Sequence, residues 1–329
     1  MTFTEKMLEK ARQNRKSITL PEATNEKVLL AAAKLVELGA AQPVLVGNPD
    51  EIKAAAADCG VDLTALPVVD TTDEAFLSEL KRDFLALSSE FSEKALGRRF
   101  RDPMNVAAAM VRTGRADCLA AGIVHTTGEV ILAAQMFIGT KPGISVISSI
   151  GMVEFPNYTT SEGNMICFAD CAVNAKPSSE ELADIALASA DTVSMLLGWE
   201  PRVALLSFST KGSSEHEEVD RVRAAVEIAR ERRPELAIDG EFQLDAAIIP
   251  AVAAKKVKEA SPVAGKANVV IFPDLGAGNI GVKMVQIFAG ATAHGPLLQG
   301  FARPVTDFSR SAPVEEIVGN LVMLAVTAQ

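Results

Sequence analysis

The sequence predicts an α/β protein of two domains whose sheets are mostly parallel. Apolar runs of strand length alternate with segments of helical period along the whole chain. The length of 329 residues suggests roughly two domains of about 150 each. Only 5% of residues are aromatic against 48% hydrophobic, so the core to be buried is aliphatic. Alternating strand and helix builds parallel sheets, with ligands taken at the carboxyl ends of the strands.

The elements follow in order. Residues 1–12 are charged throughout and read as a helix, not a signal peptide. Strands are expected at 17–21, 42–47, 67–70 and 116–122. Helices are expected at 25–38, 51–58, 73–88, 103–114 and 129–138, two of them closed by Gly39 and Gly60. A second α/β unit opens with 144–150 and 165–170, read as paired central strands. Helix 179–197 begins on a Ser-x-x-Glu pattern at Ser178 and Glu181, the signature of a capping box. Strand 202–207, helix 217–230, a strand end at 237–240, helix 245–255 and strand 268–272 come next. A glycine turn at 276–281 leads into helix 282–288, and the chain ends in helix 314–328. No linker, repeat or low-complexity segment interrupts this.

The net charge of −10 argues against nucleic-acid and anionic-lipid partners. It leaves room for an anionic small substrate, since a few cations in a cleft focus a local field. No run approaches the roughly 18 apolar residues of a membrane span. Cys59, Cys118, Cys167 and Cys171 form no C-x-x-C, and with three histidines no zinc site is expected. Cys167 and Cys171 read as buried free thiols, and a reducing cytoplasm as their compartment. Residues 1–15 are amphipathic, which keeps association with a bacterial microcompartment open.

Five strand ends carry small, polar and charged residues together. They are 122–127, Ser207-Phe208-Ser209-Thr210-Lys211-Gly212-Ser213, Asp239-Gly240-Glu241, 274–281 and Asp307-Phe308-Ser309-Arg310-Ser311. Hydroxyls, glycine amides and a cation suit a phosphate or carboxylate. One such cluster is an ordinary turn. Five of them make Lys211, Lys283 and Arg310 candidate anion contacts, Arg310 foremost because guanidinium grips phosphate bidentately. Gly276-Ala277-Gly278-Asn279-Ile280-Gly281 spells G-x-G-x-x-G, yet it lies late in the chain. No acid follows about 20 residues on, where His294-Gly295-Pro296 stands, so a dinucleotide site is rejected. Neither a P-loop nor G-x-S-x-G occurs.

The segments 207–213, Ile238-Asp239-Gly240-Glu241, 261–269, Phe272-Pro273-Asp274-Leu275, 278–281, Gly295-Pro296-Leu297-Leu298-Gln299-Gly300 and 307–310 resemble the phosphate acetyltransferase (phosphotransacetylase) family. That family belongs to the phosphate acetyl/butyryl transferase superfamily, and the likeness is nearest to its ethanolamine-utilisation branch. It covers nearly the whole chain from Pro21-Glu22 onward. It implies two three-layer αβα domains of the isocitrate/isopropylmalate dehydrogenase type, one of 1–143 plus 296–329 and one of 144–295, with the active site in the cleft between them. It further implies a homodimer with no metal or bound cofactor, CoA being a substrate. The implied reaction is acetyl-CoA plus phosphate to acetyl phosphate plus CoA, by attack of the CoA thiolate within a ternary complex. On this likeness Glu316 takes the place of a general base that many members supply as Asp. Arg310 holds the phosphate, Ser309 bonds the oxyanion or thiol, and His125, Thr126, Thr127, Asn279, Lys283 and His294 line the pocket.

This chain also departs from that pattern. An arginine common in the family is Leu132 here, and its Arg-Lys-His-Lys-Gly segment is replaced near 85–89, with Arg98, Arg99 and Arg101 as nearby substitutes. The tyrosine before Gly-Pro is His294. These departures open two alternatives, a propionyl or butyryl phosphotransacylase and a divergent inactive paralogue serving as a binding or regulatory subunit. An oxidoreductase on the same architecture is the remaining reading.

Overall fold

The computed structural model describes residues 2–328. The chain divides into two compact units, one of residues 1–141 with 301–329 and one of residues 142–300. The first unit runs α1 (Phe3–Gln13), β1 (Ser17–Leu20), α2 (Glu26–Leu38), β2 (Gln42–Gly47), α3 (Pro49–Cys59), β3 (Val68–Asp70), α4 (Glu74–Leu85), α5 (Glu93–Arg99), α6 (Pro103–Arg112), β4 (Cys118–Ala121) and α7 (Thr127–Phe137). The second holds β5 (Ser148–Glu154), β6 (Met165–Ala169), α8 (Ser179–Leu197), β7 (Arg202–Leu206), α9 (Glu217–Arg232), β8 (Ala237–Phe242), α10 (Leu244–Ile248), α11 (Pro250–Lys256), β9 (Val269–Ile271), α12 (Leu275–Ala289) and β10 (Thr292–Gln299). The chain then returns to the first unit as β11 (Val305–Asp307) and α13 (Val314–Thr327).

In the first unit the strand order is β3-β2-β1-β4-β11, and every neighbouring pair is parallel. Val305, Thr306 and Asp307 stand opposite Leu119, Ala120 and Ala121. The loops that leave β4 and β11 therefore start side by side at one end of the sheet. Helices α6 and α13 both pack on β1 and β4. A small aromatic cluster lies beside α7. Phe137 of α7 meets Phe84, Phe91 and Phe100 at centroid distances of 5.4, 5.5 and 6.0 Å. This cluster ties the 85–101 segment to α7. The apolar stripe of α1, Phe3, Met7 and Ala11, is buried within the unit, where α1 packs on α13. The amphipathic character of that segment is thus spent inside the protein.

In the second unit the order is β10-β5-β6-β9-β7-β8. The four strands from β6 to β8 are parallel, whereas β10–β5 and β5–β6 are antiparallel. The two strands expected to pair do pair, with Ile150 opposite Ala169, but the first is Ser148–Glu154 and lies later than 144–150. Strand β10 was not expected, since Gly295-Pro296 interrupts its alternation, and its register against β5 shifts there between His294 and Leu297. It carries residues 296–300 into the second unit, not into the first with the C-terminal helix. The single helix expected at 245–255 is two, because Pro250 has no N–H to continue α10 and instead opens α11. Ser178 and Glu181 form the capping box their spacing suggests, with Glu181 N–H donating to Ser178 Oγ at 3.3 Å and Ser178 N–H to Glu181 Oε2 at 2.7 Å.

Candidate active site

The strand ends of the first unit are organised by a carboxylate that lies just beyond β1. Glu22 is only 5% exposed. Its two oxygens accept the backbone N–H groups of Gly122, Ile123, Val124 and His125 at 3.1, 2.8, 2.9 and 2.8 Å. Its Oε1 also lies 2.9 Å from His125 Nδ1. Burial of a charge is tolerable only when donors replace its water, and here five surround one carboxylate. Five residues later Lys27 of α2 reaches the other loop, donating to the Ala312 carbonyl at 2.9 Å and to that of Arg310 at 3.5 Å. One short stretch of chain therefore fixes both the loop after β4 and the loop after β11.

Asp307 ends β11 and is 7% exposed. Thr127 donates to its Oδ2 at 2.6 Å, while its Oδ1 is buried without a hydrogen-bond partner. Burial pushes its pKa up to about 6, against the Thr127 hydrogen bond and the Arg310 charge, with the Glu22 carboxylate adding to the rise. Gly122, at φ 119°, passes so close that a Cβ there would lie 2.2 Å from Asp307 Oδ1 and 2.6 Å from Phe308 N. No other residue fits that turn. Thr126 caps α7, with Glu129 closing a capping box by accepting its N–H at 2.7 Å.

Ser309, Arg310 and Glu316 follow directly. Ser309 Oγ lies 2.9 Å from Ser311 Oγ, and both residues are exposed. Arg310 is exposed, and its guanidinium has no ion-pair partner among the described residues, although its charge acts on both Asp307 and Glu129. Glu316 sits in the first turn of α13, its side chain exposed by area but its carboxyl partly dried by neighbouring atoms, which raises its pKa. Ser309, Arg310, His125, Thr126 and Thr127 thus stand on two adjacent strand ends.

The candidates of the second unit fare differently. Lys211, with φ 45°, donates to Asp239 Oδ1 at 2.5 Å and to the Gly240 carbonyl at 2.8 Å. Arg230 and Ser261 hold the same buried Asp239 at 2.6 and 2.5 Å. The ammonium expected to meet an anion is therefore committed to an internal ion pair. Its loop is fixed as well. Glu241 accepts from Ser209 Oγ and Gly212 N–H at 2.8 and 2.9 Å, and although burial works upward, Arg223 and these donors hold its pKa below the ordinary value. His294 lies within β10, with Nε2 3.4 Å from Glu154 Oε2 of β5.

The glycine motif is not a turn. Asp274 caps α12, accepting from Ala277 N–H at 2.8 Å, so residues 276–281 already form its first two turns. None of the three glycines has positive φ. Gly278 lets the helix approach the chain after β6, since a Cβ there would lie 2.3 Å from the Asp170 carbonyl. Asn279 donates to the Cys171 carbonyl at 3.2 Å, and Lys283, one turn on, is exposed with no ion pair among the described residues.

Leu132, in the place of the expected arginine, is 57% exposed on α7, and Arg98, Arg99 and Arg101 are exposed. No grouping of His, Cys, Asp or Glu among the described residues could hold a metal ion. All four cysteines are free, and burial raises the thiol pKa of Cys118, Cys167 and Cys171. No helix among the described residues is long and apolar enough to cross a membrane. Sequence reasoning overlooked Glu22, and passed over Asp307 inside a cluster it had singled out. The available signal was their place, each an acid at the carboxyl end of a strand.

Parallel strands ending in a serine–arginine pair, a carboxylate-bound histidine and hydroxyls define an α/β enzyme that handles anions. The chain belongs to the phosphate acetyl/butaryl transferase family, whose model matches residues 2–326. It is 45% identical over 332 residues to a phosphate acetyltransferase of Thermoanaerobacterium thermosaccharolyticum, covering 100% of both chains. It is 43% identical to the phosphate acetyltransferase of Clostridium acetobutylicum, covering 100% of this chain and 99% of that one. Among solved structures, a phosphotransacetylase of Streptococcus pyogenes superposes with a TM-score of 0.92 at 35% identity, covering 100% of this chain and 99% of that one. The EutD phosphotransacetylase of Staphylococcus aureus gives 0.88 at 35%, covering 99% of each. A 4-hydroxythreonine-4-phosphate dehydrogenase of Klebsiella pneumoniae shares the fold, with a TM-score of 0.56 at 14% identity over 96% of this chain and 100% of that one. The dehydrogenase-like architecture expected from the sequence is thereby borne out.

Proposed function

We propose that this protein interconverts acetyl-CoA plus phosphate with acetyl phosphate plus CoA. The observation that carries this is the uncommitted Arg310 guanidinium beside Ser309 at the end of β11, next to the ordered 122–127 loop. A thiol with a pKa of about 8.5 must lose its proton to attack the acyl carbon. Glu316 takes that proton, and its raised pKa makes it a stronger base than an ordinary glutamate. Arg310 grips the phosphoryl oxygens and offsets charge on the tetrahedral intermediate, and Ser309 donates to the oxyanion. Thr126 and Thr127 shape the phosphate side, and Asn279 and Lys283 are further substrate contacts. Binding both substrates before chemistry supplies much of the acceleration. No metal and no resident cofactor takes part in this scheme.

The test is direct. Purified protein given CoA and acetyl phosphate should form thioester, followed by absorbance. Absence of turnover with acetyl, propionyl and butyryl phosphate alike would leave the reading of an inactive, binding paralogue. Arg310→Ala should lower kcat/KM at least roughly 100-fold, and full activity in that variant would remove Arg310 from the site. Exposed Leu132 and Val124 favour a second reading, preference for a longer acyl chain, which a higher kcat/KM with butyryl phosphate would support. We further propose a homodimer, supported by the apolar face of Ile280, Met284, Ile287 and Phe288 on α12, with Lys283 at its edge, and a cytoplasmic location.

A further inference from the structure

Resting on the proposed reaction, the geometry points to Glu22 as a positioning residue for His125. It fixes Nδ1–H toward itself and leaves Nε2 as the atom that delivers a proton to the departing phosphate. The argument starts from the donor count. Four backbone N–H groups converge on the two Glu22 oxygens, and each needs an acceptor. The carboxylate is therefore an acceptor toward the ring as well, and the 2.9 Å contact places the hydrogen on Nδ1. Whether the ring is neutral or charged, Nε2 is then where a proton enters or leaves. The His125 side chain is 28% exposed against 1% for Glu22, so the ring reaches outward while its orienting partner stays inside. This is the arrangement by which a buried carboxylate orients an imidazole acid or base.

The chemistry gives that atom a task. The thiolate forms its C–S bond, and the bond from the acyl carbon to the bridging oxygen breaks, that oxygen leaving with the phosphorus. Without a proton, a dianionic acyl phosphate would leave as the phosphate trianion. A proton from Nε2 to the departing oxygen makes hydrogen phosphate instead, and His125 is reprotonated from solvent. Glu316 meanwhile releases the thiol proton to solvent, so one proton is taken and one returned per turnover. The charged groups that act on the ring are Glu22 at the end of β1 and Glu129 on α7, and these in turn face Asp307 at the end of β11 and Arg310 beyond it. Of these only Glu22 touches it.

The experiment uses the full-length protein with acetyl phosphate and CoA. Long-range ¹H–¹⁵N correlation should show the neutral His125 ring protonated at Nδ1, and Glu22→Gln should mix the tautomers. His125→Asn keeps an amide N–H where Nδ1–H stood and so preserves the bond to Glu22, whereas it removes Nε2. It should lower kcat roughly 100-fold or more, with KM for either substrate changed by less than about 3-fold. A wild-type ring protonated only at Nε2, or a folded His125→Asn protein within about 3-fold of wild-type kcat, would overturn the inference. Either result, set beside wild-type turnover abolished by Arg310→Ala, would leave the proposed reaction standing and remove only this role.

Discussion

Asp307 is ionised at a cost, and its proton equilibrium carries a testable sign. The folded value of about 6 lies above the ordinary 3.8, so the folded state binds the proton more tightly than the unfolded chain does. Stability contributed by the protonated carboxyl is present at low pH and is lost as pH rises from about 3.8 through 6. Asp307→Asn removes that dependence while keeping an oxygen for the Thr127 hydroxyl. Denaturant titrations at pH 4.5 and 8 should therefore show the variant gaining on wild type by on the order of 2 kcal/mol as pH rises. A constant difference across that range would mean that Asp307 does not titrate there. Lys211 poses the opposite question. It is bound to Asp239 and Gly240, so Lys211→Met should cost about 2 kcal/mol of stability, read by thermal or chemical unfolding. KM for acetyl phosphate should stay within about 2-fold in that variant. A large rise in KM with unchanged stability would restore Lys211 as a substrate contact.

At the scale of elements, two glycines in helices should respond with opposite signs. Gly278 of α12 faces the Asp170 carbonyl at a distance no Cβ can occupy. Gly278→Ala should push the helix off the chain after β6 and destabilise the protein by about 2 kcal/mol or more, despite alanine's better helix propensity. Gly319 of α13 has open space around it, so Gly319→Ala should stabilise by about 0.5–1 kcal/mol. Both are read from denaturant midpoints. The contrast also explains what the sequence could disclose. Local chemistry was legible. Ser178 and Glu181 announce their capping box, and the alternation of apolar runs announces the parallel strands. The glycines at 276–281 were misread as a turn because turn freedom and close helix packing demand the same residue. Strand β10 was missed because Gly295-Pro296 breaks its period. Ser309 and Arg310 were legible as a charged cluster, whereas Glu22 was not, since its partner His125 stands 103 residues away. No window on the chain reports a bond of that separation.

For the whole molecule, α12 is the element whose surface and position disagree. Of its 15 residues only Gly278 is buried. Ile280, Met284, Ile287 and Phe288 are 59, 52, 74 and 81% exposed, and their spacing of four, three and one places them on one face. A contiguous apolar face of this kind is uncommon on a protein that stays monomeric. A second copy suits it better than a charged partner would. Each chain carries −10, so copies repel over most of their surface, whereas α12 carries no acid and Lys283 as its one charge. A twofold axis also lets one apolar patch serve both sides of the contact. Light scattering on wild-type protein at micromolar concentration should give about twice the chain mass of 34.7 kDa. Ile287→Asp with Phe288→Asp buries two carboxylates in that contact and should give a folded monomer of single-chain mass, with circular dichroism unchanged. The unaltered protein running as a monomer would remove the homodimer. A dimer that survives both substitutions would move the interface away from α12.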